Sequence, residues 1–164
     1  NKEENSMIEL PETDDPNPTL DVLVEALGRI NFGPRLLDRK GITNYVELNG
    51  VTLMNWKVYN LPMNYSDLNK LKFTEEIVST APAFYSGHFD LEKTGDTFLD
   101  LSKWKKGFVF VNGHNLGRYW DIGPQHDLYL PGVWLKKGRN EIIIFDLLLD
   151  TSAPLSSSSM RNKD

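Results

Sequence analysis

From residue 81 onward the sequence is a run of short apolar segments, AFYSGHF, DTFLDL, GFVFVNG, LGRYW, DLYLP and EIIIFDL, separated by Gly, Pro or Asn. No other feature limits the possible folds so strongly. Short segments at regular spacing with turn formers between them are the pattern of an antiparallel sandwich. Two of them, FVFV and IIIF, are apolar on both faces. A strand of that kind belongs in the middle of a sheet that is covered on each side. Asn49-Gly50, within NYVELNGVTLMNWKVYNL, and Asn112-Gly113 each offer the two positive φ angles that a type I′ hairpin turn needs. The one helical patch, YSDLNKLKF, is short, and Ser66 is placed to cap it. The expected fold is therefore all-β, an antiparallel β-sandwich with one or two short helical turns.

The N-terminal part is less regular. Residues 1–19 contain PETDDPNPT and are expected to form a linker or strand lead-in. LDVLVEALGRI, residues 20–30, sets Leu20, Val22, Val24 and Ala26 on one face and Asp21 and Glu25 on the other, with Leu23 breaking the alternation. That predicts a first strand, closed by Gly33-Pro34. Residues 20–150 are then expected to form one sandwich, and the Ser-rich residues 151–164 a disordered tail. The total of 164 residues suits one domain or one and a half. The first residues, NKEENSMIEL, hold no initiating Met, and the chain reads as a piece of a longer polypeptide.

Charge and composition exclude several functions. A net charge of −5 without a basic block argues against nucleic acid and anionic membrane as partners. No apolar run approaches the roughly 20 residues that span a bilayer. The chain has no cysteine, so disulfides and thiolate metal sites are ruled out. No GxSxG, P-loop or GxGxxG motif is present, and His88, His114 and His126 lack metal-ligand spacing. No metal and no cofactor is expected. Asp96 and Asp100 have the oxygen chemistry for calcium but read as solvated strand ends. Glycoside cleavage needs two carboxylates about 5–10 Å apart. Glu25, Glu47, Glu75, Glu76, Glu92 and Glu141 are scattered, with no recognisable pair, so no catalytic residue is assigned.

The stretch GFVFVNGHNLGRYW, residues 107–120, concentrates the candidates. Asn112, His114, Arg118 and Trp120 have the polar and aromatic groups that bind a sugar. The competing reading is structural. There Asn112 is a turn residue, Arg118 pairs with Asp121 or Asp127, and Tyr119 and Trp120 fill the sandwich edge, as aromatics at strand spacing usually do. By simple alternation Leu116 and Arg118 share one face, and Asn115, Gly117 and Tyr119 the other. Gly117 inside a strand points to a bulge or a close backbone approach. Trp104 and Trp134 also read as packing residues, while Arg35, Arg39 and Lys40 are available to a neighbouring domain.

The same segments carry a resemblance. LDVLVEALGRINFGPRLLDRKGI, NWKVYNLP, PAFYSGHF and GDTFLDLSKWKKGFVFVNGHNLGRYWDIGPQHDLYLPGVWLKKGRNEIIIFD, in that order, resemble the C-terminal region of the β-galactosidases of glycoside hydrolase family 35. The resemblance implies a galactose-binding-domain-like jelly roll. It also implies a parent whose catalytic glutamates lie on a (β/α)₈ barrel of about 250 residues, for which this chain has neither length nor pattern. The expected role is a non-catalytic accessory domain that packs against the barrel and a preceding sandwich of the same parent. The alternative is a carbohydrate-binding module for galactosides. A secreted, periplasmic or lysosomal parent is what the resemblance implies for compartment.

Overall fold

The computed structural model describes residues 7–25, 31–37, 39–75, 81–124, 126–149 and 155–158. Two compact units divide the chain, Asn1–Tyr59 and Asn60–Asp164. The division falls well inside the stretch expected to be one sandwich.

The first unit contains β1 (Glu47–Leu48) and β2 (Val51–Thr52), an antiparallel pair closed by Leu48 opposite Val51. Asn49 and Gly50 turn the chain with φ of 49° and 80°, the positive values of a type I′ turn. No described residue of this unit is buried. The strand expected over residues 20–30 is not seen in its described part: residues 20–25 carry no strand. A strand exists only as half of a ladder, and among the described residues of this unit the one ladder is that of β1 and β2. Residues 26–30 lie outside the described residues.

The second unit opens with α1 (Tyr65–Leu68). Its first turn closes on the Asn64 carbonyl, which accepts from the amides of Asp67 at 2.9 Å and Leu68 at 3.1 Å. Ser66 therefore lies inside the helix and does not cap it. The strands follow as β3 (Ala83–Leu91), β4 (Thr97–Asp100), β5 (Lys106–Val111), β6 (His114–Trp120), β7 (Asp127–Leu130), β8 (Gly138–Asp146) and β9 (Ser156–Ser158). A short 3₁₀ turn, Gly132–Trp134, precedes β8.

These strands make one antiparallel sheet in the order β3-β8-β5-β6 and another in the order β7-β4-β9. The pairing is nested: β5 with β6, β4 with β7 and β3 with β8. The chain is thus a long hairpin laid across two sheets, the wrap of a jelly roll. Together with the first hairpin, all three sheets are antiparallel and the fold is all-β.

Periodicity explains the packing. Val109, Val111, Tyr119, Ile142 and Ile144 point inward against Leu99, Leu128 and Leu130, with Leu101 and Trp104 beside them. Burying each such aliphatic side chain contributes roughly 1.5–3 kcal/mol. On the other face of the same sheet, Phe110 and Ile143 are buried under Leu68 of α1, with Met63, Phe84 and Phe108 around them. FVFV and IIIF are therefore the two inner strands, β5 and β8, covered on both sides as their sequence requires.

Part of the tail expected to be disordered is ordered. Ser156, Ser157 and Ser158 pair with Asp100, Leu99 and Phe98 of β4. Thr97 Oγ1 donates to Ser158 O at 3.0 Å, and Leu155 packs on the core. Without β9 the second side of β4 would be an open edge with unpaired backbone groups. Ladder bonds are made by backbone, so a polar side-chain composition does not prevent them.

Candidate functional site around the Asn112-Gly113 hairpin

Asn112 and Gly113 join β5 to β6 with φ of 47° and 82°. The Asn112 side chain does more than turn the chain. Its Nδ2 donates to Trp134 O and to Asn140 Oδ1, both at 2.8 Å, and its Oδ1 accepts from Glu141 N at 3.0 Å. Asn140 is fully buried. Its Oδ1 also accepts from Lys136 N at 2.9 Å, and its Nδ2 donates to Lys136 O and Gly138 O, both at 2.8 Å. Both amide hydrogens of each Asn have an acceptor, as buried amides require. The pair ties the hairpin to the 3₁₀ turn and the start of β8. Tyr65 of α1 lies over Gly113, its ring 3.0 Å from where a Cβ would stand, and donates to Glu141 Oε2 at 3.2 Å.

One bulge decides where the remaining candidates point. Val109 faces Gly117 and Phe110 faces Asn115, which leaves Leu116 as an extra residue. Gly117 takes φ of 129°, and its amide donates to Asn115 Oδ1 at 2.9 Å. A Cβ on Gly117 would meet nothing within 4 Å, so it serves the bulge and not a close approach. An inserted residue reverses the alternation beyond it. Leu116 accordingly joins Tyr119 at the inner core, while Arg118 stands opposite Phe108 and Trp120 opposite Lys106 on the outer face. Simple alternation, which put Leu116 with Arg118 and Asn115 with Tyr119, fails at this point.

The four candidate sugar residues are therefore not brought together. Asn112 is locked in the turn. His114 is at the register position of Val111, on the core side, and its exposed ring stacks on Trp134 with centroids 4.7 Å apart and planes at 12°. Arg118 and Trp120 meet on the outer face, the guanidinium carbon 4.8 Å from the indole centroid and Lys106 Nζ 4.4 Å from it. These are cation–π distances. An open cleft of about 230 Å³ beside them is lined by Arg118, Tyr119, Trp120, Gly123 and Pro124. Asp121, one expected partner of Arg118, is 3.1 Å from Lys105 Nζ. Gln125 lies outside the described residues. Trp104 is buried edge-on against Tyr85 at 5.3 Å. Arg35, Arg39 and Lys40 are exposed.

The carboxylates are occupied with structure. Asp96 Oδ1 accepts from Gly132 N at 2.8 Å, and Asp100 Oδ1 from Ser102 N at 2.9 Å. Those backbone bonds hold both carboxyls below their ordinary range. Asp100 stands opposite Asp127 in register. The hollow beside Asp100, lined also by Ser102, Lys103, Leu155 and Ser156, is about 110 Å³, whereas ligand pockets run to roughly 300–1,000 Å³. Among the described residues no three His, Asp or Glu side chains gather as a metal site would require.

The most elaborate polar group was not foreseen from sequence. Asp146 is fully buried at the end of β8. Its Oδ1 accepts from Leu148 N at 2.8 Å and Leu149 N at 2.9 Å, and its Oδ2 from Lys105 N at 2.9 Å. The Tyr119 hydroxyl is 2.8 Å from Asp146 Oδ2 and 3.0 Å from Phe145 O. Gly107 stands between them, in register with Tyr119 on one side and Asp146 on the other. A Cβ there would overlap the Phe145 carbonyl oxygen and crowd the Tyr119 hydroxyl at 2.9 Å. Only glycine lets the phenol reach across β5 to the carboxylate. Burial first, and the Asp146 carboxylate second, hold the Tyr119 phenol far above its ordinary pKa. The signal was present in sequence: Asp146 continues the inward parity of Ile142 and Ile144.

An all-β jelly roll of this wrap, preceded by a small β unit, is the architecture shown here. Two family models match it: "Beta-galactosidase, first all-beta domain" over residues 1–62 and "Beta-galactosidase, galactose-binding domain" over residues 82–140. Curated relatives include Beta-galactosidase-1-like protein 2 of Homo sapiens, 46% identical over 134 residues, which take in 77% of this chain and 21% of that protein. Beta-galactosidase 1 of Dictyostelium discoideum is 43% identical over 145 residues, 84% of this chain and 22% of its own length. Beta-galactosidase of Xanthomonas manihotis is 45% identical over 113 residues, 68% and 19%. The chain belongs to the β-galactosidase family, as a region comprising these two domains. It spans only about a fifth of the length of these relatives.

Proposed function

We propose that this chain is the non-catalytic accessory part of a β-galactosidase of glycoside hydrolase family 35. In that role it packs against and stabilises a catalytic barrel and a neighbouring sandwich of the same parent. The parent would remove terminal β-galactose, with both catalytic carboxylates on the barrel. The observation that carries this reading is the dispersal of the sugar-binding candidates. Asn112 has both amide hydrogens committed to protein acceptors, and His114 lies on the other side of the sheet from Arg118 and Trp120. A sugar subsite needs polar groups that converge on one cleft, and a likeness to galactose-binding folds does not supply one.

A second reading, direct recognition of galactosides, draws support from the open cleft beside Arg118 and Trp120. Titrating the chain with galactose and lactose by NMR separates the two. The accessory reading expects no saturable shifts in β5 or β6 at millimolar sugar. Saturable shifts that vanish in Trp120→Ala, with the fold intact, would replace it with the binding module. Turnover of a chromogenic β-galactoside by this chain alone would defeat both readings.

A further inference from the structure

Asn17-Pro18-Thr19 and Asn64-Tyr65-Ser66 are the two Asn-x-Ser/Thr triplets of the chain. An acceptor for an N-linked glycan needs the Asn amide, a hydroxyl two residues on, and any residue but Pro between them. Pro18 disqualifies the first triplet. The second meets all three conditions. Both Asn64 and Ser66 are exposed, as a bulky, hydrophilic substituent requires. Asn64 has an extended backbone, φ −78° and ψ 148°, at the N-cap position of α1. An Asn placed there usually accepts from a helix amide through its side-chain oxygen. Asn64 makes no such bond; its main-chain carbonyl takes the Asp67 amide instead. The helix therefore forms without the Asn64 side chain, and Ser66 does not cap it either. Two residues with the chemistry of caps are spared from capping, and together they spell an acceptor.

We propose that Asn64 is a modification site that carries an N-linked glycan. The donor, by chemical class, is an oligosaccharide held on a polyisoprenyl diphosphate. The bond from sugar C1 to the diphosphate oxygen breaks, and Asn64 Nδ2 forms the new bond to C1. The amide gives up one proton to solvent, and the lipid diphosphate leaves with the bonding electron pair. Helix α1 lies on the outer face of the four-stranded sheet, with Leu68 buried against Phe110 and Ile143 and the Tyr65 ring over Gly113. The glycan thus stands at the hairpin end of that face. Trp120 lies opposite Lys106, at the other end of the β5–β6 ladder. The inference accordingly holds whether the sandwich braces the enzyme or recognises galactosides.

Mass spectrometry of the protein from its natural source tests it. Trypsin releases residues 58–70, in which Asn64 begins the one acceptor triplet. Peptide N-glycosidase cleaves the sugar–amide bond and leaves Asp where the glycan stood. The bare peptide should appear after that treatment, with Asp at position 64 and with Asn60 and Asn69 unchanged. The full chain secreted from cells of Dictyostelium discoideum, the source of one relative, should lose the mass of one glycan on the same treatment. Asn64→Gln and Ser66→Ala should each abolish that loss. Ser66→Thr should keep it, because the hydroxyl remains, and this separates the triplet from an effect of misfolding. An unmodified Asn64 in the natural protein or in the secreted chain would overturn the proposal. So would a mass loss that is unchanged in Asn64→Gln.

Discussion

Asn49-Gly50 and Asn112-Gly113 turn the chain through nearly the same angles, φ of 49° and 80° at the first and 47° and 82° at the second. The first closes strands of two residues each; the second joins strands of six and seven. Local chemistry is the same at both, so it cannot set the length of a hairpin. The difference lies in what surrounds the turn. The Asn112 side chain makes three bonds to the 3₁₀ turn and β8, Tyr65 lies over Gly113, and β5 is packed on both faces. The described residues around Asn49 are exposed or half-buried, and none is buried. An Asn-Gly dipeptide nucleates a bend; a ladder grows from it only where tertiary burial outweighs the entropy of ordering the strands, about 1–2 kcal/mol per residue.

That contrast can be broken most forcefully away from either turn. Gly107→Ala leaves Asn112-Gly113 untouched but drives a methyl into the Phe145 carbonyl. The expected loss is about 4 kcal/mol or more, and circular dichroism and chemical denaturation should show the sandwich unfolded or nearly so. A variant as stable as the parent would show that packing around β5 does not sustain the long hairpin. Asn112→Ala attacks the turn and its three side-chain bonds together. It should lower the denaturation free energy by about 2–3 kcal/mol, with a buried Asn140 oxygen deprived of a donor.

Tyr119→Phe removes only a hydroxyl, and about 1–2 kcal/mol is expected, because a buried carboxylate loses one donor. This substitution also has a pH signature. The Tyr119 phenol is held above its ordinary value in the folded chain, so the unfolded chain releases that proton first as pH rises. Its contribution is complete below about pH 10 and is lost above it, at a limiting slope of about 1.4 kcal/mol per pH unit. Stability measured between neutral and strongly alkaline pH should fall less steeply in Tyr119→Phe than in the parent. Equal slopes would count against the buried phenol. The smallest effect is predicted for Asn49→Ala, chemically the twin of Asn112→Ala. It should shift sandwich stability by less than about 0.5 kcal/mol. A loss comparable to that of Asn112→Ala would erase the contrast.

The features that sequence made legible are those written in side-chain alternation. FVFV and IIIF announced covered inner strands, and both Asn-Gly turns stood where their dipeptides did. Leu116 shows where alternation ends as a guide. One extra residue reversed the faces of all that followed, and a bulge is stabilised by a local bond, Asn115 to Gly117, that no hydrophobic pattern reports. Ser156 to Ser158 formed a strand because β4 needed a second partner, a demand of topology and not of serine. Residues 20–25 had a strand's pattern but carry no strand. Asn112 was legible as a turn residue; its lock with Asn140 joins positions 28 apart in the chain and could not be read from neighbours. Arg118 and Trp120, two of the four candidate sugar residues, share the outer face, and the same bulge placed them away from His114.

The register that sets Ala83 beside Asp146 has a mechanical meaning. The nested hairpin begins and finishes on adjacent strands, about 5 Å apart. Beyond β8, however, the chain returns as β9 to the edge of β4, so a pull from the C-terminal side loads the β4–β9 pairing before it reaches the β3–β8 seam. Unravelling from that end meets a ladder of three residue pairs first and a ladder of nine only afterwards.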